Sequence, residues 1–222
     1  GLHLFWPSMN VPKPHSGKQN KKEDTDSRLK SIQKMDDLIQ EARAYLQLKK
    51  TNSGSFKHDL RMEGMLPVIK GEIPLFIHAN EVRQIEAAVY WSNRHNLTMI
   101  LVGGRDSWRV TRLLKEKDIP VIYTHVHSLP MRRFEKYDQP FITPLQLFEA
   151  GVKFCISNSE SPFQTPHIRN LPYYAAKASS YGLPHEEALR SITLSPAEIL
   201  SVAEIVGSLD IGKDATFFIS DG

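Results

Sequence analysis

The sequence is poor in the features that would mark an unusual class of protein. A single cysteine, Cys155, stands among 222 residues, which excludes an intrachain disulfide. There is no apolar run long enough to cross a membrane and no secretory signal. The net charge at pH 7 is only +3, too small to require a nucleic-acid partner. The chain also lacks an initial methionine, and we expect it to be a piece of a longer protein.

The composition that remains is that of an ordinary soluble globular protein. Hydrophobic residues make up 41% of the chain and charged residues 24%. The 222 residues suffice for one sizeable domain but fall short of the ~250 of a full eightfold α/β barrel. Nothing in this composition distinguishes the cytoplasm from the periplasm. Cys155 lies in an apolar run, and we interpret it as a core thiol rather than a nucleophile.

One long helical pattern dominates the first third of the chain. From Leu29 to Leu46, apolar residues recur every three or four positions, which predicts an amphipathic helix. Asp26 or Ser27 can cap its beginning. The other elements predicted here are a strand over 2–6, a basic loop over 10–26, the end of the helix at 51–55 and a second helix over 58–65.

From Ile73 onward, continuous apolar runs alternate with helical patterns. Such runs, joined by helices, predict parallel strands that are buried on both faces of a sheet. Four βα units in about 110 residues fit half of a (β/α)8 barrel. Because a half-barrel has two open sheet edges, we expect self-association or a partner that supplies the N-terminal half. The predicted strands are 74–79, 99–103, 120–124 and 152–157, and the predicted helices are 81–94, 107–117, 143–150 and 168–181.

The C-terminal part of the chain carries the densest local signals. Pro184 stands where a first-turn proline is expected. Ser195 and Glu198 have the spacing of a capping box at the start of a further helix. Residues 215–219 are rich in strand formers and predict a short final strand.

Four segments of the sequence together resemble one protein family. They read PLFIHANEVRQIEAA (74–88), RNLPYYAAKASSYGL (169–183), ALRSITLSPAEIL (188–200) and VGSLDIGKDATFFI (206–219). These segments resemble the amidohydrolase superfamily, in its imidazolonepropionase-like branch. The resemblance implies an α/β fold, the C-terminal half of a TIM-type (β/α)8 barrel with parallel strands each followed by a helix. It divides the chain into 1–72 (a strand end, a basic loop and helices), 73–206 (four βα units) and 207–222 (a strand leading to a small β-domain).

The same resemblance implies a metal-dependent hydrolase that acts on C–N bonds of a cyclic amide or similar small substrate, with zinc, iron or manganese. His78 in FIHAN matches the metal-binding histidine of the family's fifth strand. Gly103 and Gly104 stand where many relatives have a second metal histidine. Asn158 stands near the place of an aspartate that binds metal and acts as general base. An amide cannot take a proton at neutral pH, but Glu160, two residues on, can supply a carboxylate.

Three other residues are candidates for contacts with substrate. His125 and His127 follow the third predicted strand, and alternation places both on the same side if the strand extends that far. Arg105 follows the preceding strand. Arg132 and Arg133, further along, can meet a carboxylate in bidentate fashion, although a surface position is the commoner fate of an arginine.

Three alternatives remain at this stage. The departures at Gly103 and Asn158 fit a non-catalytic binding or assembly module with a degenerate metal site that holds no metal. The Gly103–Gly104 turn can bind a nucleotide phosphate through its amides, although a tight βα turn is commoner. The lysine-rich stretch 13–50 fits a nucleic-acid-binding module. We expect a small-molecule substrate, no nucleic acid, no membrane, and no activity from the chain alone.

Overall fold

The computed structural model describes residues 1–9, 21–51, 57–158, 163–217 and 219, with only the backbone for 21–26. None of the helices in these ranges is long and apolar enough to span a membrane. The elements are β1 (Leu2–Phe5), α1 (Lys21–Lys50), α2 (Leu60–Ile69), β2 (Leu75–Ala79), α3 (Val82–Arg94), β3 (Met99–Gly103), α4 (Thr111–Glu116), β4 (Val121–Tyr123), α5 (Gln139–Glu149), β5 (Phe154–Ile156), α6 (Leu171–Ser180), α7 (His185–Arg190) and α8 (Leu194–Ile199).

The strands form a sheet in the order β1-β2-β3-β4-β5. The pairs β3–β4 and β4–β5 are parallel, with Leu101 opposite Val121 and Tyr123 opposite Ile156. Every residue of β3 is buried, as expected for a strand covered on both faces. The predicted α/β architecture with parallel pairing is therefore confirmed. The barrel, the small β-domain and the three-part division of the chain stay predictions.

The chain folds as two compact units. The first consists of 1–77 and 87–99, and the second of 78–86 and 100–222. In the first unit, Tyr45 of α1 donates a hydrogen bond to Glu63 of α2 over 2.7 Å. The side chain of Asp59 caps α2 by accepting from the Arg61 amide at 2.8 Å. The Tyr45–Glu63 bond thus joins α2 to α1 within this unit, and the Asp59 cap fixes where α2 begins.

A second polar cluster in the first unit surrounds Asp36 of α1. Its Oδ1 accepts from the Trp91 indole N–H at 2.7 Å and lies 2.8 Å from His95 Nε2. Arg94 donates to both of its oxygens. Burial raises the pKa of Asp36, but the hydrogen bonds and the Arg94 charge outweigh it and hold the pKa below its usual value.

The core of the second unit is built on β3, β4 and β5. Tyr123 of β4 is fully buried, and its hydroxyl donates to the Pro140 carbonyl at 3.0 Å. Cys155 of β5 is buried as well, and burial raises the pKa of its thiol to about 12. A thiol this weakly acidic is inert at neutral pH, in agreement with its interpretation as a core residue.

Several predicted helix boundaries are wrong. The helix α1 begins at Lys21, so the caps at Asp26 and Ser27 do not exist and the loop prediction fails for 21–26; residues 10–20 lie outside the described ranges. Lysine and glutamate favour helix, and acidic residues near its start are stabilised by the helix dipole. The predicted helix 107–117 is divided into a 3-10 turn (107–109) and α4.

The C-terminal signals were also misread. Pro184 is itself the N-cap of α7, and Ser195 lies inside α8, whose N-cap Thr193 makes no capping bond through its side chain. The capping box fails because Glu198 pairs with Arg190 of α7 instead, at 2.7 Å.

The predicted final strand does not form either. Within 215–217 and 219, no residue has strand structure, and the side chains of Phe217 and Ile219 are 60% and 88% exposed. A strand requires a neighbour for its backbone hydrogen bonds, and none of the described segments pairs with this one. These residues therefore have the propensity for a strand, but no described strand pairs with them.

Replacement of Asp36 by Asn should lower the free energy of unfolding by about 1–3 kcal/mol at pH 7, because charged hydrogen bonds are lost. Since the folded pKa of Asp36 is depressed, this contribution is present above the ordinary carboxyl range of about 4 and is lost as the pH falls through the folded value. Urea unfolding of both proteins at pH 7 and pH 3 measures the loss of unfolding free energy and its dependence on pH.

The neighbouring variant Asp37→Asn is the control, because Asp37 is exposed and, among the described residues, its side chain bonds only to Gln33 of the same helix. It should change the unfolding free energy by no more than about 0.5 kcal/mol. Equal effects of the two substitutions, or an Asp36 effect that is unchanged at pH 3, would contradict the role assigned to the cluster.

Candidate functional site

The candidate residues of the second unit lie where strands end. His78 is the last residue but one of β2, Arg105 follows β3, His125 follows β4 and Asn158 follows β5. Because β3, β4 and β5 are parallel, their carboxyl ends share one edge of the sheet. This edge is where ligands bind in open α/β sheets.

A connected polar cluster lies at this edge. His125 Nε2 is 2.6 Å from Asn80 Oδ1, and its Nδ1 is 3.2 Å from the Ser128 hydroxyl. The Nη2 of Arg105 lies 3.4 Å from the same Nδ1, and the Arg105 amide donates to Asn80 Oδ1. We call Asn80, Arg105, His125 and Ser128 the strand-end cluster.

The contacts fix the tautomer of His125. Arginine has only donors, so the Nδ1 that faces Arg105 is an acceptor. Nε2 therefore carries the proton and donates it to Asn80 Oδ1. Both ring nitrogens of His125 are thus engaged by neighbouring groups.

Asn80 occupies space that a side chain at position 103 would need. A Cβ placed on Gly103 would lie 2.5 Å from Asn80 Oδ1, and its φ of +94° disfavours any other residue. A histidine at this position, as the resemblance led one to expect, would displace Asn80 from His125. The glycine and the asparagine are therefore structurally coupled.

The glycine turn itself is closed to phosphate. The Gly104 amide donates to the Ala79 carbonyl at 2.9 Å and the Asp106 amide to the Asn80 carbonyl at 2.8 Å. The Ser107 amide donates to Gly104 within the turn. With these amides already used, the turn is the tight βα connection, and the nucleotide-binding interpretation is not supported.

A buried ion-pair network holds the loop after β4. The Arg132 guanidinium meets Asp106 in bidentate fashion, with 2.8 Å and 2.6 Å contacts to the two oxygens. It also donates to Glu135. The Asp106 and Glu135 side chains are only 2% and 6% exposed. Asp106 Oδ2 accepts in addition from the Val82 amide at 3.1 Å. The carboxylate that Arg132 meets in bidentate fashion is thus Asp106 of the protein itself, not that of a ligand.

The network also sets the protonation of its members. Burial raises the pKa of Glu135, but hydrogen bonds from the Arg132 side chain and from the amides of Arg132 and Met131 outweigh it and hold the pKa below its usual value. The Asp106 carboxylate raises the pKa of Arg132, and Glu135 adds to the effect. Arg132 and Glu135 are therefore both ionised at neutral pH.

His127 does not join His125. The strand β4 ends at Tyr123, so the alternation that would have placed both histidines on one side does not reach them. The His127 ring lies 4.6 Å from the ring of Tyr174 in α6. Partial burial and, next, the charge of Lys177 lower the pKa of His127.

Asn158 is engaged in holding the loop that follows β5. Its Nδ2 donates to the Gln164 carbonyl at 2.7 Å, and its Oδ1 accepts from the Tyr174 hydroxyl at 3.4 Å. Glu160, the carboxylate predicted to replace it as a general base, lies outside the described residues. The catalytic roles of both residues stay predictions.

A divalent metal centre requires several ligand side chains that face one point. His78 has the expected place at the end of β2, and it is half-buried. His125 uses both of its ring nitrogens in the strand-end cluster, and an asparagine stands at 158. Within the described ranges, no group of three histidine, cysteine, aspartate or glutamate side chains is arranged to hold a metal. These residues therefore do not form a complete metal centre by themselves.

Sequence reasoning missed three residues of this edge: Asn80, Asp106 and Ser128. Asn80 and Asp106 are polar and come within three positions of a strand end, which is the signal that could have found them. Ser128 carries no such signal, because only the folded loop brings it to His125.

Replacement of Arg132 by Ala should lower the free energy of unfolding by about 3–5 kcal/mol, because it leaves two buried carboxylates without their cation. The matched control is Arg133→Ala, since Arg133 is the neighbouring residue and is exposed. Its effect should stay within about 0.5 kcal/mol. Urea denaturation of both variants measures the difference, and similar effects would mean that the network does not hold the loop.

Comparison with known proteins gives a consistent set of relatives. No protein-family model matches the chain. The imidazolonepropionase of Brucella anthropi is 23% identical over 67% of this chain and 35% of its own length. The imidazolonepropionase of Shewanella baltica is 32% identical over 36% of this chain and 20% of its own length. The chain thus spans only about a third or less of the curated relatives that it matches.

Solved structures agree with these relatives at the level of the fold. The amidohydrolase from Thermotoga maritima superimposes with a TM-score of 0.73 at 23% identity, over 89% of this chain and 54% of the other. The resemblance predicted from the sequence is confirmed by these similarities. The chain is therefore similar to imidazolonepropionases in sequence and to an amidohydrolase in fold.

Proposed function

We propose that this chain contributes metal- and substrate-binding residues to a hydrolase that cleaves C–N bonds in a cyclic amide or a similar small substrate. The observation that carries the proposal is the placement of His78, Arg105 and His125 at the carboxyl ends of successive strands of the sheet. Enzymes of this architecture place their reacting groups at these ends. The curated relatives, which are imidazolonepropionases, support the reaction class.

Each residue has a proposed role. His78 is one ligand of a divalent zinc, iron or manganese ion, because neutral imidazole suits all three. Arg105 and His125 contact the substrate from the strand-end cluster, and His127 does so from the side of Tyr174. Glu160 is the proposed general base, since the Asn158 amide cannot accept a proton at neutral pH.

The 222-residue chain is proposed to be inactive alone. Among the described residues, His78 is the only proposed metal ligand, and one imidazole does not hold a catalytic metal. The proposed partners are a small-molecule substrate and either the remaining half of a (β/α)8 barrel or a second copy of the chain. No step of the reaction is assigned to the metal.

The test is the metal content of protein purified without chelator or a nickel affinity tag, by plasma mass spectrometry, for this chain and for a longer chain that contains it. The longer chain should hold close to one zinc, iron or manganese ion and hydrolyse cyclic amides. His78→Ala should weaken its metal binding by more than the roughly 10- to 100-fold typical of outer-shell losses. Arg133→Ala, an exposed position, should leave the metal content unchanged.

Unchanged metal content in the His78→Ala protein would remove its ligand role. A metal-free longer chain without hydrolase activity would contradict the proposal as a whole. It would favour instead the non-catalytic module with a degenerate metal site.

A further inference from the structure

Two arginines follow strand ends in the second unit, and they differ in their partners. Arg132 is fully engaged by Asp106 and Glu135. Arg105 has no ion pair with any carboxylate of the described residues; its guanidinium has one contact, with His125 Nδ1. Asp106, its neighbour in the chain, is turned to Arg132. Most of the five N–H donors of Arg105 are therefore available to a ligand.

The surroundings of Arg105 strengthen its attraction for anions. The residue is partly buried, and it lies close enough to the fully buried Tyr123 for its positive charge to counter the rise that burial causes in the pKa of that phenol. Charges interact more strongly at such a place than in bulk water, because the effective dielectric constant is lower. A guanidinium in this position favours a negatively charged partner.

The same cluster does not suit a cation. His125 presents Nδ1 to the guanidinium and donates its Nε2 proton to Asn80, so neither nitrogen offers a lone pair to a metal. A metal ion at Nδ1 would also face the positive charge of Arg105. The cluster therefore favours an anion over a metal ion.

The available donors distinguish between kinds of anion. A phosphate is commonly held by several backbone amides at a turn, but the amides of Gly104, Asp106 and Ser107 are already bonded. What remains is one planar guanidinium, that of Arg105. A guanidinium fork matches the two oxygens of a carboxylate.

We propose that the strand-end cluster is a carboxylate-binding site, with the Arg105 guanidinium as its anchor. The ligand is a small organic molecule that bears a carboxylate. Its identification as the substrate rests on the proposed function, but the binding of a carboxylate does not.

The experiment is a titration of this chain followed by nuclear magnetic resonance of the arginine Nε–H groups. The Arg105 signal is assigned by its loss in Arg105→Gln. Sodium acetate is the probe, and sodium chloride at equal ionic strength is the reference. Inorganic phosphate is titrated separately, so that its affinity can be compared with that of acetate. Acetate should shift the Arg105 signal saturably, with a dissociation constant in the millimolar range, and phosphate should bind more weakly.

The variants sharpen the test. Arg105→Lys keeps the charge but loses the fork, and it should weaken acetate binding roughly tenfold, as judged from the backbone amides of the loop after β3. Arg105→Gln should abolish the saturable shifts, and Arg133→Gln, at an exposed position, should leave them unchanged. The backbone spectrum of each variant shows that it is folded.

Three results would overturn the proposal. A linear shift equal to that of chloride would mean ionic screening alone. Saturable binding that survives in Arg105→Gln would place the anion elsewhere. Tighter binding of phosphate than of acetate would contradict the carboxylate class. Because no activity is measured, failure here is distinguishable from failure of the proposed hydrolase function.

Discussion

One buried carboxylate, that of Asp106, joins three loops at the carboxyl edge of the sheet. Its oxygens accept from the Arg132 guanidinium and from the Val82 amide, and its own amide donates to the Asn80 carbonyl. It thereby connects the ends of β2, β3 and β4. A carboxylate whose side chain is only 2% exposed is costly unless it is paired and hydrogen-bonded. The cost is offset only when all three loops are in place.

The strand-end cluster depends on this arrangement. With the loop after β2 fixed, Asn80 lies against Gly103 and meets His125; with the loop after β4 fixed, Ser128 reaches the other side of the same ring. Arg105, next to Asp106 in the chain, is left for a ligand because Arg132 takes the carboxylate. Of the two arginines, Arg132 thus has a structural role and Arg105 has the proposed binding role.

Much of this edge was predictable from sequence, and the rest was not, for physical reasons. The apolar run of β3 and the turn at Gly103 are local signals, and both were predicted correctly. Which of several arginines meets Asp106 depends on a contact between residues 26 positions apart, which no local pattern encodes. The separation of His125 from His127 depended on the end of β4, one residue earlier than predicted. The strand predicted over 215–219 failed because propensity does not supply a partner.

Asp106 holds the loops so that His125 keeps its hydrogen bond to Asn80. Long-range proton–nitrogen correlation spectra of the His125 ring test it most directly, in the unmodified chain and in Asp106→Asn. We expect a single tautomer with the proton on Nε2 in the unmodified chain, and loss of that single tautomer in a variant that remains folded. A proton on Nδ1, or an unchanged spectrum in folded Asp106→Asn, would contradict it.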